Sequence, residues 1–127
     1  MKKMIAAAAA LVLSAGLALA DNFPDISQSD LQTAIKDKKV VLLDCNGSDS
    51  YKKGHIPGAI DFNAKEGEIA QVLPKDKDTM IVAYCGGPKC HAYEQGAKAV
   101  SKLGYTNVRH FSAGISGWQE AKLPVEK

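Results

Sequence analysis

Met80-Ile81-Val82-Ala83-Tyr84-Cys85-Gly86-Gly87-Pro88-Lys89-Cys90-His91 leads from a five-residue apolar run into a glycine turn that carries two thiols. The run has the length of a buried strand. Beyond His91, Ala97, Val100 and Leu103 recur at helical spacing with Gly104 as a stop, so the segment reads as a helix. A thiol at the carboxyl end of a strand, followed by glycines and a helix start, faces backbone N–H groups and the positive end of a helix dipole. That surrounding favours an anion and therefore the thiolate. A free cysteine with pKa near 8.5 is only about 3% ionised at pH 7, and lowering that value by about two units takes roughly 2.7 kcal/mol of differential stabilisation. Cys85 is the candidate nucleophile, with Gly86, Gly87, Pro88, Lys89, Cys90 and His91 as its binding loop. An isolated cysteine after a strand reads as a small buried hydrophobe. The glycines and the second thiol five residues on weigh toward chemistry.

Upstream, Val40-Val41-Leu42-Leu43-Asp44 is a second aliphatic run, read as a parallel strand covered on both faces. Ser27-Gln28-Ser29-Asp30 offers a capping box before a short helix carrying Leu31, Ala34 and Ile35. Cys45-Asn46-Gly47 opens a loop, Ser48 to Lys53 reads as a helical turn, Ala59 to Phe62 as a short strand and Glu66 to Leu73 as a weak helix. Val108 to Phe111 reads as a last strand, and Gly114 to Ala121 as a last helix carrying Trp118. Strands alternating with helices at this spacing predict an α/β three-layer domain with a mainly parallel central sheet. Ligands of such sheets bind outside the carboxyl ends of the strands, where Asp44, Cys45 and Cys85 all fall.

The 127 residues suffice for one domain. Met1-Lys2-Lys3, the apolar stretch Ile5 to Leu17 and Ala18-Leu19-Ala20 have the form of a signal peptide cleaved before Asp21. The expected division is therefore a leader over 1–20 and one domain over 21–127, in an exported, periplasmic or secreted protein with no membrane attachment after cleavage. Residues 1–20 hold two of the 16 basic residues and none of the 14 acidic ones, so the net charge of +2 vanishes in the mature chain. There is then no electrostatic case for nucleic acid. Three cysteines are an odd number, so at least one is free or pairs outside the chain.

These residues bring the chain close to a known family. It resembles a single-domain rhodanese, on three pieces in order: Leu43-Asp44 with Tyr51 and Gly54-His55-Ile56-Pro57-Gly58-Ala59; Val82-Ala83-Tyr84-Cys85; and Leu103-Gly104-Tyr105-Thr106-Asn107-Val108 with Gly114-Ile115-Ser116-Gly117-Trp118 and Leu123-Pro124. The resemblance implies a rhodanese-like fold and a sulfurtransferase that needs no cofactor. Cys85 would take sulfane sulfur from thiosulfate, polysulfide or a persulfide and pass it to a thiol or cyanide, or to a protein acceptor. Asp44 and His55 would organise the surrounding loops. Three departures accompany it. The loop lacks the family's Arg-Ser pair and carries Cys90 at the Arg-like position. The family's Asp-x-Arg is Asp44-Cys45-Asn46. Cys45 stands where related cell-cycle phosphatases have a cysteine that can pair with the catalytic thiol, so both Cys90 and Cys45 are candidate resolving thiols.

Other chemistries fit the residues less well. Phosphatase or arsenate reductase activity needs a guanidinium closing a C-x5-R loop. His91 stands there, and Arg109, the only arginine, is expected on a distant strand. Cys85-x4-Cys90-His91 is a wider relative of the c-type haem signature, but a small α/β core lacks space for haem. Metal binding by Cys85, Cys90, His91 and Cys45 is allowed by ligand type, whereas the buried strand and glycine turn favour a nucleophile pocket. A noncatalytic sulfur carrier or thiol redox module stays open beside the enzyme. His110 and Trp118 read as packing.

Overall fold

The computed structural model describes residues 23–127. The leader expected over residues 1–20 lies outside them. Among the described residues no helix is long and apolar enough to cross a membrane.

Helix α1 spans Gln28–Lys36 and begins where Ser27 accepts the Asp30 amide at 3.1 Å, as the capping pattern dictates. Strand β1 follows at Val40–Asp44, the helical turn α2 at Ser48–Lys53 and strand β2 at Ile60–Asp61. The stretch read as one weak helix is a chain of three short pieces: α3 at Phe62–Lys65, a 3-10 turn at Glu66–Glu68 and α4 at Ile69–Val72. Strand β2 is shorter than the expected Ala59 to Phe62. Asp61 turns the chain out of it, its carboxylate accepting the Ala64 amide at the start of α3. Strand β3 spans Met80–Tyr84, helix α5 Tyr93–Lys102, strand β4 Val108–His110 and helix α6 Gly114–Glu120.

The four strands form one parallel sheet in the order β2-β1-β3-β4. The aliphatic runs take its two central positions, where both faces are covered. On one face Leu43, Cys45, Ile81, Ala83 and Cys85 pack with Phe62, Ile69, Ala97 and Val100, beneath α3, α4 and α5. On the other, Leu42, Val82 and Tyr84 pack with Leu31, Ile56, Phe111 and Trp118, beneath α1 and α6. Both ends of the described chain add to the domain. Asp25 bridges to His110, and Glu126 forms an antiparallel bridge with His55.

Helix α5 lies close enough to the sheet that a Cβ on Gly96 would stand 2.7 Å from Cys45 Sγ, with Leu43 and Phe62 at ordinary contact distance. Gly96→Ala is expected to cost about 1–3 kcal/mol despite alanine's better helix propensity, because the thiol must be displaced in a filled core. Cys45→Ala removes the obstructing atom. The double variant should recover most of the loss, and denaturant unfolding of the four proteins measures the coupling. Additive losses would mean that some other contact opposes the methyl group.

Candidate functional site

Side chains alternate along a strand, so Ile81, Ala83 and Cys85 belong to the α5 face while Val82 and Tyr84 belong to the α6 face. Cys85 thus leaves β3 beneath the start of α5, 1% exposed. The next residues form a loop fixed from the opposite side by α6. Ile115 N–H donates to the Cys85 carbonyl and Ser116 N–H to the Gly86 carbonyl, both at 3.0 Å. In a trans peptide the carbonyl and the following N–H point in opposite directions. The Gly86 and Gly87 amides are therefore turned away from α6, and among the described residues they donate to no backbone acceptor. Cys85 packs on the opposite, α5 face of the sheet, and backbone donors turned toward an anionic sulfur favour its thiolate form.

The contact between α6 and the loop requires glycine at position 114. Its φ is +62°, and a Cβ there would lie 2.5 Å from the Cys85 carbonyl oxygen and 2.7 Å from the Gly87 nitrogen. A second turn brings the loop back, with Cys90 N–H donating to the Gly87 carbonyl at 3.0 Å. Cys85 and Cys90, with Cα atoms 6.2 Å apart, are joined in a disulfide. Pro88 and Lys89 stand exposed at the tip. His91 is 77% exposed and lies 3.7 Å from the Glu94 carboxylate. The two cysteines of the haem-like pattern are thus paired with each other. Among the described residues no three His, Cys, Asp or Glu side chains form a cluster that could hold a metal ion.

Cys45 directly follows β1, its N–H donating to the Tyr84 carbonyl at 2.9 Å. Its thiol is buried against α5, 3.9 Å from the carbonyls of Leu43 and Tyr93. Burial pushes its pKa up to about 12, so at neutral pH it is a protonated thiol and a poor nucleophile.

Asp44 lies on the other face from Cys85. Its carboxylate accepts the Tyr84 hydroxyl at 2.8 Å and the Asn46 amide at 2.9 Å, while the Tyr84 hydroxyl accepts the Ile56 amide at 3.0 Å. Burial raises the Asp44 pKa against the pull of these donors. The network ties the loop after β1 and the turn at Ile56 to the last residue before the thiol. His55 is held elsewhere. Its Nδ1 lies 2.8 Å from the Tyr51 carbonyl, its ring stacks on Tyr51 at 3.6 Å, and its backbone pairs with Glu126. His110 stacks on Tyr93 at 3.4 Å, and burial lowers its pKa.

Arg109 is less remote than its place in the sequence implies, since β4 is the immediate neighbour of β3. Its Nε donates to Asn107 at 3.2 Å, which holds the guanidinium toward the amino end of β4. Two residues of the site were not singled out from the sequence. Ser116 lies beside Gly87, with Cβ 3.6 Å from where a Gly87 side chain would begin, and Asn46 Oδ1 lies 3.6 Å from the same point on Gly86. Asn46 carried a signal, as the residue standing at the family's arginine position. Ser116 carried none beyond its motif.

The family model for the rhodanese-like domain matches residues 27–121. The chain belongs to the rhodanese-like domain family. Among curated relatives of this rhodanese-like chain, YibN of Escherichia coli strain K12, described as uncharacterised, is 27% identical over 124 residues, covering 95% of this chain and 85% of YibN. The BH2092 protein of Bacillus halodurans superposes with a TM-score of 0.64 at 25% identity, over 81% of this chain and 76% of that one. Human single-domain sulfurtransferase TSTD1 shares the fold, with a TM-score of 0.59 at 20% identity over 76% of this chain and 96% of its own.

Proposed function

We propose that this rhodanese-like protein is a sulfurtransferase acting through a Cys85 persulfide. The observation that carries the reading is the placement of Cys85 at the head of a loop whose Gly86 and Gly87 amides are turned away from α6 and, among the described residues, donate to no backbone acceptor. In the reduced protein the Cys85 thiolate attacks the sulfane sulfur of thiosulfate, polysulfide or a small persulfide. The donor's sulfur–sulfur bond breaks, and sulfite, a shortened polysulfide or, from a persulfide, a thiolate leaves with the electron pair. A thiol or cyanide then attacks the outer sulfur of the persulfide and restores the Cys85 thiolate. No step requires a metal or an organic cofactor. Asp44 acts at a distance by holding the two neighbouring loops, and sulfur exchange between thiolates gives His55 no proton to move. The leader pattern of residues 1–20 supports an exported protein, with sulfur donors and acceptors met outside the cytoplasm.

Fully reduced protein given thiosulfate or polysulfide with cyanide is expected to turn over to thiocyanate. In the same preparation, alkylation of Cys85 should titrate well below pH 8.5, the free-thiol value. An alkylation midpoint at or above that value, with no thiocyanate formed from either donor, would remove the reading.

A further inference from the structure

We infer that Cys90 gives the site a second activity, reductive release of sulfide from the Cys85 persulfide, with the Cys85–Cys90 disulfide as its product. The inference rests on the Cys85 persulfide proposed above and names what competes for its sulfur.

The loop brings the two sulfurs together by construction. Its first two carbonyls are held by the Ile115 and Ser116 amides, and the turn closed from Cys90 N–H to the Gly87 carbonyl directs position 90 back toward Cys85. The Cα separation of 6.2 Å lies within the range that a disulfide spans, roughly 4.4 to 6.8 Å. Cys45, the other thiol on this face, is not a rival. It is buried against Gly96 and keeps its proton, and the disulfide leaves it free.

The Cys90 thiolate attacks the inner sulfur of the persulfide, Sγ of Cys85. The bond between Sγ and the outer sulfur breaks, and the outer sulfur leaves as hydrosulfide with the electron pair. The proton given up by Cys90 ends on sulfide or in solvent. One persulfide and one thiol become one disulfide and one hydrogen sulfide. The outer sulfur gains two electrons and the two cysteine sulfurs lose them. Attack within one short loop proceeds at high effective concentration, so an external acceptor wins the sulfur only when it is abundant or bound nearby.

The disulfide must then be reopened by a dithiol, of a partner protein or a small molecule, which supplies two electrons. Exposure sets the direction. Cys85 is 1% exposed, whereas Cys90 is only partly buried, so the incoming thiolate attacks the Cys90 sulfur and Cys85 departs as thiolate beside the Gly86 and Gly87 amides. The second thiol of the reductant then frees Cys90.

The test uses the whole protein, reduced, freed of reductant and kept without air, with polysulfide as the probe. Cys90→Ser and Cys90→Ala are treated alongside, so that neither variant's folding decides the result alone. Alkylation and peptide mass mapping are expected to find Cys85 joined to Cys90 in the parent, and Cys85 carrying one extra sulfur in both variants. Relative to the variants, which correct for breakdown of the probe, the parent should release one additional sulfide per chain. A parent that keeps the extra sulfur on Cys85 without forming the disulfide overturns the release step and leaves sulfur transfer standing. A parent that neither carries extra sulfur on Cys85 nor forms the disulfide overturns the persulfide reading itself, and this inference with it.

Discussion

Cys85→Ser is expected to lower sulfur transfer by at least about 10³-fold, since an alcohol in this pocket neither ionises near neutral pH nor attacks sulfane sulfur. The loop amides can lower a thiol's pKa by a few units, which is far too little to ionise a serine. The fold should survive. Position 85 is buried beneath α5, and exchanging sulfur for oxygen changes little volume. Stability depends on the redox state of the reference. Against the reduced parent the variant should unfold at nearly the same denaturant concentration. Against the oxidised parent it should lose about 2 kcal/mol, the loop-closure entropy expected for so short a ring. Thiocyanate formation and denaturant unfolding, each against both forms of the parent, check these expectations together. A variant that retains most of its turnover would move the reaction to another residue.

The parts of this molecule that were legible in its sequence are those whose causes are local. Two uninterrupted aliphatic runs can satisfy their backbones and bury both faces only at the centre of a parallel sheet, and β1 and β3 lie side by side there. Ser27 declares the start of α1 through its own side chain. The strand expected over Ala59 to Phe62 had the right composition, but Asp61 caps the helix that follows, so capping overrides strand propensity after two residues. Leu103 matched the helical period yet stands 36% exposed, because α5 ends at Lys102 and the next residue turns out of the packed face. The thiol loop was legible as chemistry and not as geometry. That α6 donates two amides to it, that Asn46 and Ser116 border it, and that its two sulfurs meet all depend on segments far apart in the chain converging. Spacing alone carries no record of that approach.

The same convergence sets the cost of changing Gly114. Alanine at φ +62° enters a backbone region unfavourable to L-residues by roughly 1–2 kcal/mol. Its methyl carbon would also stand 2.5, 2.7 and 2.8 Å from the Cys85 oxygen, the Gly87 nitrogen and the Gly86 carbonyl carbon. These are backbone atoms, with no rotamer through which to escape, so α6 and the thiol loop must separate. Separation weakens the hydrogen bonds from Ile115 and Ser116 that turn the Gly86 and Gly87 amides away from α6. Strain and overpacking together are expected to lower stability by about 2–4 kcal/mol. Turnover should fall at least about tenfold as the thiolate loses its donors, and the alkylation midpoint of Cys85 should move up toward the free-thiol value. Gly67→Ala is the matching control, with negative φ and nothing within 4 Å of the added carbon, and should stay within about 0.5 kcal/mol of the parent. Were Gly114→Ala to unfold with the parent and alkylate at the parent's pH, the loop would hold its shape without α6. The amide cradle would then have to be explained from the loop's own turns alone.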